Sequence, residues 1–164
     1  SSWLFINLLT AVLASAVIGL FEATIERLVA LAVLMPIVAS MGGNAGTQTM
    51  TVAVRAIALR QLDATATRQF VLRELIVATT NGLLFAALAA GLSYLWFGDP
   101  EIAIVMAVAM MANLLVAGLS GTFVPVGLMR AGVDPAVASS VFVTTITDVV
   151  GFFVFLGLAA LYLM

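Results

Sequence analysis

The chain has 164 residues, of which 64% are hydrophobic and 9% are charged, and its formal net charge is −2. Because a soluble domain is about a quarter charged, this composition excludes an ordinary water-soluble protein, and the lack of a basic excess argues against a nucleic-acid partner. With no cysteine and no histidine, the usual ligands of zinc, copper and haem are missing. Any bound metal should therefore be a hard cation held by oxygen atoms.

Five apolar segments are long enough to cross a bilayer, which takes about 20 helical residues. The chain enters the first of them at once, without the basic region and cleavage site of a signal peptide. We therefore expect residues 1–164 to be a single transmembrane domain cut from a longer protein. The predicted segments are Trp3–Phe21, Leu28–Ile57, Phe70–Phe97, Ile102–Met129 and Ala136–Met164.

The breaks between the segments contain most of the charged residues. Two of them contain the dipeptides Asp99-Pro100 and Asp134-Pro135. Aspartate is a favoured N-cap and proline fits the first helical position, so both acids are predicted to start helices rather than to bind metal. The first break, residues 22–27, holds two glutamates and an arginine and is expected to be a solvated loop.

The arginines predict the orientation in the membrane. Five of the six lie in or beside the second and fourth breaks, and cytoplasmic loops are enriched in basic residues. We therefore expect a multi-pass protein of the cell (plasma or bacterial inner) membrane, with its N-terminus in the cytoplasm and its C-terminus outside. The five are Arg55, Arg60, Arg68, Arg73 and Arg130, and the exception is Arg27.

Asp148 lies near the middle of the fifth segment, too far from either end for its carboxylate to reach an interface. Ser140, Thr144 and Gly151 share its helix face by their spacing. An ionisable residue at this depth indicates a function unless it is neutralised. The residues favour a cation site on a water-filled path, and the alternative is a protonated aspartate bonded to a neighbouring helix.

The second segment contains Pro36 and the glycine-rich run Gly42–Gly46. Proline and glycine destabilise a helix interior, which predicts a break whose freed carbonyls could face a cation or its water. Close helix packing through small residues is the alternative. Polar residues beyond the glycines share one face: Asn44, Thr47, Gln48, Thr51 and Arg55.

Several weaker signals remain. Residues 118–121 match the Gly-x-Ser-Gly motif of intramembrane rhomboid proteases, but the chain has no histidine base, and we expect no enzymatic activity. Asn81 and Asn113 are expected to bridge helices. The residues alone favour an interfacial pair of Glu74 with Arg73 over a role of Glu74 as a metal ligand.

The run Gly42-Gly43-Asn44-Ala45-Gly46-Thr47-Gln48 after Pro36, together with Thr147-Asp148, resembles the transmembrane domain of the MgtE magnesium channel family. The resemblance covers essentially the whole chain. It implies an all-α homodimer in which the ion path runs between the second and fifth helices of both copies. It also implies cytoplasmic magnesium-sensing domains in the full-length protein.

The resemblance assigns roles to individual residues. Asp148 would be the main site for hydrated Mg²⁺, helped by the backbone carbonyl of Thr144. Ser140 would line the path where the family often has asparagine, and Glu74 and the Gly43 carbonyl are candidates for a second, cytoplasmic-side site. The other residues expected to line the pore are Asn44, Thr47, Gln48, Thr51 and Gly151.

The sequence thus predicts a channel that passes Mg²⁺, the bound and transported ion, down its electrochemical gradient. Hard oxygen ligands admit other divalent cations as well, such as Mn²⁺, Co²⁺ and Ni²⁺. One alternative is a cation- or proton-coupled secondary transporter in which Asp148 is the coupling carboxylate. A second is a membrane anchor or assembly module in which the polar face only joins helices.

Overall fold

The protein is built from α-helices in the computed structural model, which describes residues 2–60 and 64–163. Within those ranges the chain forms no strand, and the predicted all-α class is confirmed. The helices are α1 (Ser2–Gly19), α2 (Glu22–Arg27), α3 (Val29–Ala58), α4 (Ala64–Phe97), α5 (Pro100–Arg130) and α6 (Pro135–Tyr162).

Each of the five predicted segments forms a helix, although Met164, the predicted end of the fifth, lies outside the described residues. Among those residues, α3 to α6 are long and apolar enough to cross a membrane, whereas α1 is a shorter apolar helix.

Two predictions are corrected. The first break is the short helix α2 and not a loop, although its charged side chains are exposed as expected. The third segment begins at Ala64 rather than Phe70, because the helix extends past its apolar part.

The central helix is α5, which packs against α3, α4 and α6, while α1 packs on α6. Along α3, Gly42 meets Asn113 of α5 and Gly46 meets Gly121, so these two helices run parallel. The short connection at residues 131–134 turns α6 back along α5. The α5 residues Met111 and Gly118 meet Gly82 and Ala78 of α4, whereas Asn113 meets Gly151 of α6, so α4 and α6 lie on different sides of α5 and both run in the opposite direction to it.

The apolar core lies where α3, α5 and α6 meet. Burying these side chains excludes lipid and water from the centre of the bundle and stabilises the close helix contacts. The outer faces carry large apolar side chains such as Leu95 and Leu161, which are mostly exposed and suit contact with lipid. The main core residues are Leu31, Leu34, Val38, Met106, Met110, Leu114, Phe155 and Leu156.

Both Asp-Pro dipeptides start helices, as predicted. The Asp99 carboxylate accepts hydrogen bonds from the backbone N–H of Glu101 at 2.8 Å and of Ile102 at 3.4 Å. The Asp134 carboxylate accepts one from Ala136 at 2.9 Å. These bonds satisfy N–H groups that the first helical turn leaves unpaired, so both acids are explained as caps.

Asp99→Ala is expected to destabilise the protein by about 1 kcal/mol, the usual effect of losing an N-cap. Asp99→Asn keeps a capping side chain and is expected to melt close to the wild type. The melting temperature of the detergent-purified protein measures both. If Asp99→Ala melted at the same temperature as the wild type, the Asp99 carboxylate would not act as a stabilising cap.

Candidate cation site

Asp148 lies about midway along α6, and its side chain is half-buried. Among the residues that the structure describes, the carboxylate has no hydrogen-bond or ion-pair partner. An ionised carboxylate at the depth of the hydrocarbon is costly unless something compensates its charge. The side chain is therefore placed where a cation, water or a second chain could reach it.

The residues one and two turns before Asp148 present oxygen atoms. Thr144 is half-buried and Ser140 is exposed. The Thr144 hydroxyl donates to the Ser140 carbonyl at 2.8 Å, and the Thr144 carbonyl accepts a hydrogen bond from the Thr147 hydroxyl at 3.0 Å. Because the Thr144 hydroxyl proton is donated to a carbonyl of the same helix, the hydroxyl oxygen remains free to accept a hydrogen bond. Acceptors suit the water molecules around a hydrated cation.

The helix α3 runs without interruption from Val29 to Ala58, through Pro36 and the glycine-rich run. The predicted break in this segment is therefore wrong. In lipid, each unpaired backbone group costs several kcal/mol, which outweighs the cost of about 1 kcal/mol for a glycine in a helix. The Gly43 carbonyl stays in the helical hydrogen-bond ladder, so it could offer a cation or its water only its second lone pair.

Glycines are needed where α3 and α6 approach their neighbours. A Cβ on Gly42 would collide with the Asn113 amide, and one on Gly46 would lie 2.6 Å from Val143 Cγ1. A Cβ on Gly151 would lie 2.7 Å from Asn113 Nδ2. Close packing, the alternative given above for α3, explains these glycines. Gly151 lies buried against α5, so its role in lining a pore stays a prediction.

Polar side chains cover the open side of α3. Ser40, Asn44, Gln48 and Thr51 are exposed, and Thr47 is half-buried. The Asn44 amide donates to the Ser40 hydroxyl at 3.4 Å, and the Thr51 hydroxyl donates to the Thr47 carbonyl at 2.8 Å. A polar face on a membrane-spanning helix needs protein or water beside it. We call these five residues the α3 polar face.

The α3 polar face and Asp148 lie on the same side of the α3–α6 pair. Gly46 of α3 packs against Thr147 of α6, where a built Cβ would be 3.6 Å from Thr147 Cγ2. When two antiparallel helices touch at one residue of each, the next residue of each helix is rotated by about 100° toward the same side of the pair. Thr47 follows Gly46 and Asp148 follows Thr147, so both lie on that side. The fold therefore joins the predicted groups of α3 and α6 into one polar surface.

Glu74 lies apart from Asp148, half-buried in α4. Its Oε2 accepts a hydrogen bond from the Thr49 hydroxyl of α3 at 3.1 Å. In the described part of the chain its partner is thus Thr49, and the predicted pair with Arg73 is wrong. Since α4 and α6 lie on different sides of α5, one chain does not bring Glu74 to Asp148.

A cleft of about 250 Å³ contains Glu74, and it lies between α3, α4 and α5. Gln48 of the α3 polar face also lines it, together with Asn81 and Thr49. The sequence analysis did not identify Thr49 as a residue of a candidate site. Its position on α3 faces away from the polar face, and only the packing of α4 gives it a partner.

Asn113 bridges helices, as predicted, whereas Asn81 is exposed and has no hydrogen-bond partner among the described residues, so that part of the prediction is wrong. Asn113 is fully buried in α5, and its Nδ2 donates to the Val38 carbonyl of α3 at 2.8 Å.

In the described ranges, no group of three or more acidic, histidine or cysteine side chains is arranged to hold a metal ion. One chain therefore supplies a single carboxylate at mid-membrane, which is too little for a dehydrated cation but compatible with a hydrated one.

Comparison with known proteins identifies the family. Residues 35–158 match the family model of MgtE, described as a divalent cation transporter. The chain belongs to the MgtE family. It is 37% identical to the magnesium transporter MgtE of Thermus thermophilus and 30% identical to that of Bacillus subtilis. Both matches extend over 161 residues, which are 98% of this chain and 36% of each relative.

The match to the MgtE model includes the helices that carry the polar surface. Residues 35–158 contain the glycine-rich run of α3, the whole of α4 and α5, and Asp148 of α6. The resemblance inferred from the glycine-rich run and the central aspartate is confirmed, and MgtE is a family of transporters rather than of enzymes. The chain spans little more than a third of the length of these relatives, which therefore contain further regions.

Proposed function

We propose that this MgtE-family chain forms the pore of a magnesium channel, through which hydrated Mg²⁺ crosses the membrane down its electrochemical gradient. The observation that carries the proposal is the mid-membrane carboxylate of Asp148, half-buried and without a partner among the described residues. Its charge needs compensation there. The two relatives named as magnesium transporters support Mg²⁺ as the ion.

A homodimer would complete the site. A twofold axis repeats every residue, so a second copy facing the polar surface would bring two Asp148 carboxylates together. Two like charges repel, and a divalent cation between them offsets the repulsion. The α3 polar face would then line an aqueous path between the copies instead of facing lipid, with Asn44, Thr47, Gln48 and Thr51 along it.

The ligands suit a cation that keeps its water. Mg²⁺ dehydrates reluctantly and is usually held through one or two carboxylates and several waters. Two aspartates would supply the charge, while the Thr144 carbonyl and Ser140 would accept hydrogen bonds from the water shell. A site without a closed cage also releases its ion, as conduction requires. Mn²⁺, Co²⁺ and Ni²⁺ could use the same oxygen atoms.

We place a second, weaker site at the arginine-rich end of the bundle. Glu74 would supply its carboxylate there, whereas the Gly43 carbonyl, next to Gly42 at the level of Gly151, would serve the path closer to Asp148. Gln48 belongs to the α3 polar face and also lines the cleft of Glu74, which connects this carboxylate with the proposed path. A cation there would compete with the Thr49 hydroxyl for Glu74.

The arginine-rich end would face the cytoplasm of a plasma or inner membrane, with the N-terminus on the same side and the C-terminus outside. A divalent ion entering a cell gains about 4.6 kcal/mol per 100 mV, twice the value for a unit charge. The membrane potential alone can therefore drive inward flow. We further propose that the full-length protein carries cytoplasmic magnesium-sensing domains, in keeping with the greater length of its relatives.

Voltage clamp of the purified protein in planar bilayers tests the channel against a proton-coupled transporter. We expect a current that grows with the Mg²⁺ concentration, reverses at the Mg²⁺ equilibrium potential and persists at equal pH on both sides, because no proton is needed for each ion. Flux that stops when the proton gradient is removed would contradict the channel and favour coupled transport. No flux at all would favour a membrane anchor.

A further inference from the structure

The Asn113 side chain joins three helices in the middle of the bundle. It is completely buried, and its Nδ2 donates to the Val38 carbonyl of α3 at 2.8 Å. The same amide touches the backbone at Gly42 of α3, where any Cβ would collide with it. On its other side lies Gly151 of α6, where a built Cβ would be 2.7 Å from Nδ2 and 3.2 Å from Oδ1.

Packing alone does not explain an asparagine at this position. Its Oδ1 is buried without a hydrogen-bond partner among the described residues. A buried, unpaired acceptor lowers stability, whereas an apolar side chain of the same shape has no such penalty. A leucine has the same number of side-chain heavy atoms and would leave no unpaired acceptor. The amide is distinguished by its bond to Val38 and by its flat shape, which fits between two glycines.

The two glycines belong to the helices of the proposed path. Gly42 directly precedes Gly43 and Asn44, and Gly151 follows Asp148 by three residues, about 4.5 Å along the helix axis. We infer that Asn113 is a positioning residue that fixes the spacing of α3 and α6 at the level of Asp148 and thereby determines which hydrated divalent cations pass. The inference rests on the proposed function, because it takes Asp148 to face the ion path.

Asn113→Leu removes both polar groups and keeps the number of side-chain heavy atoms. We expect the permeability ratio of Mg²⁺ to Ca²⁺, measured from reversal potentials in planar bilayers, to change about threefold or more, as for strongly coupled neighbours. Because leucine is bulkier than the flat amide, the yield and the melting temperature of the variant are measured beside the ratio. Asn7→Leu makes the same chemical change on the exposed side of α1 and should leave the ratio unaltered.

A double-mutant cycle tests the contact itself. Gly42→Ala puts a methyl group against the Asn113 amide and should change the permeability ratio and lower the melting temperature. In an Asn113→Ala background the methyl group has room, so the same substitution should have little further effect. Gly127→Ala, in α5 with no neighbour within 4 Å of the built Cβ, is the control for adding a methyl group to a helix.

The outcomes separate this inference from the proposed function. An unchanged permeability ratio in Asn113→Leu, or strictly additive effects in the cycle, would overturn the positioning role while an Asp148-dependent Mg²⁺ current still upheld the channel. A wild-type protein without such a current would overturn the channel itself. If Asn113→Leu does not fold, Asn113→Gln decides: it keeps the amide but displaces it by one methylene, and an unchanged ratio would count against the inference.

Discussion

Asp148→Asn is expected to lower the Mg²⁺ current at least about a hundredfold while the protein still inserts into the membrane. The substitution keeps the size of the side chain and removes its charge, and in a dimer it removes two charges from one site. Loss of one partner from a desolvated charge pair costs about 2–5 kcal/mol, and about 2.7 kcal/mol corresponds to a hundredfold change in binding. The measurement is current per amount of reconstituted protein in planar bilayers.

Glu22→Gln is the matched control for this prediction, because it neutralises an exposed acid of α2. Its current should equal that of the wild type. A second readout is growth in low Mg²⁺ of a transporter-deficient strain, which the wild type should rescue and Asp148→Asn should not. If Asp148→Asn rescued growth and conducted normally, the carboxylate would only bond a neighbouring helix, and the proposed channel site would be wrong.

Gly121→Ala is expected to destabilise the protein strongly for a change of one methyl group. The new Cβ would lie 2.7 Å from the Gly46 carbonyl oxygen, 2.8 Å from Thr49 Cβ and 3.0 Å from the Met50 backbone nitrogen. Two of these atoms are backbone, so they cannot move aside without shifting α3 against α5. Overpacking of this kind costs about 1–3 kcal/mol and occasionally more. The melting temperature should fall by several degrees and the yield of folded protein should drop.

Gly127→Ala provides the control in the same helix, since its built Cβ meets nothing within 4 Å. Alanine is the better helix former by about 1 kcal/mol, so this variant should melt at or slightly above the wild-type temperature. Equal melting temperatures of the Gly121→Ala and Gly127→Ala proteins would mean that α3 and α5 are not packed as closely as described.

Local features of the sequence were sufficient for the fold class and for the starts of α5 and α6. The apolar segments predicted the membrane-spanning helices because the hydrocarbon requires about 20 apolar residues in a row. The caps at Asp99 and Asp134 could be predicted because each depends on two or three neighbouring residues. The family could be inferred because the glycine-rich run and Thr147-Asp148 form a specific combination of short motifs.

The prediction of a break in α3 was wrong because it depended on contacts with other helices, which local features do not show. Helix propensity penalises Pro36 and each glycine, and it contains no information about what packs beside them. The structure shows that Gly42 and Gly46 are small because Asn113 and Val143 lie against them. The lipid surroundings also favour an intact helix, since unpaired backbone groups have no water to bond.

The sequence by itself determined a lipid-embedded helical domain, the starts of α5 and α6 and a single acid at mid-membrane, because these follow from composition and from residues close together in the chain. Only the tertiary structure decided that Glu74 bonds Thr49, that Gly151 packs on Asn113, and that the polar side chains of α3 lie on the same side of the α3–α6 pair as Asp148. Those contacts join helices that are far apart in the chain, and they depend on how whole helices rotate and pack, which no local pattern specifies.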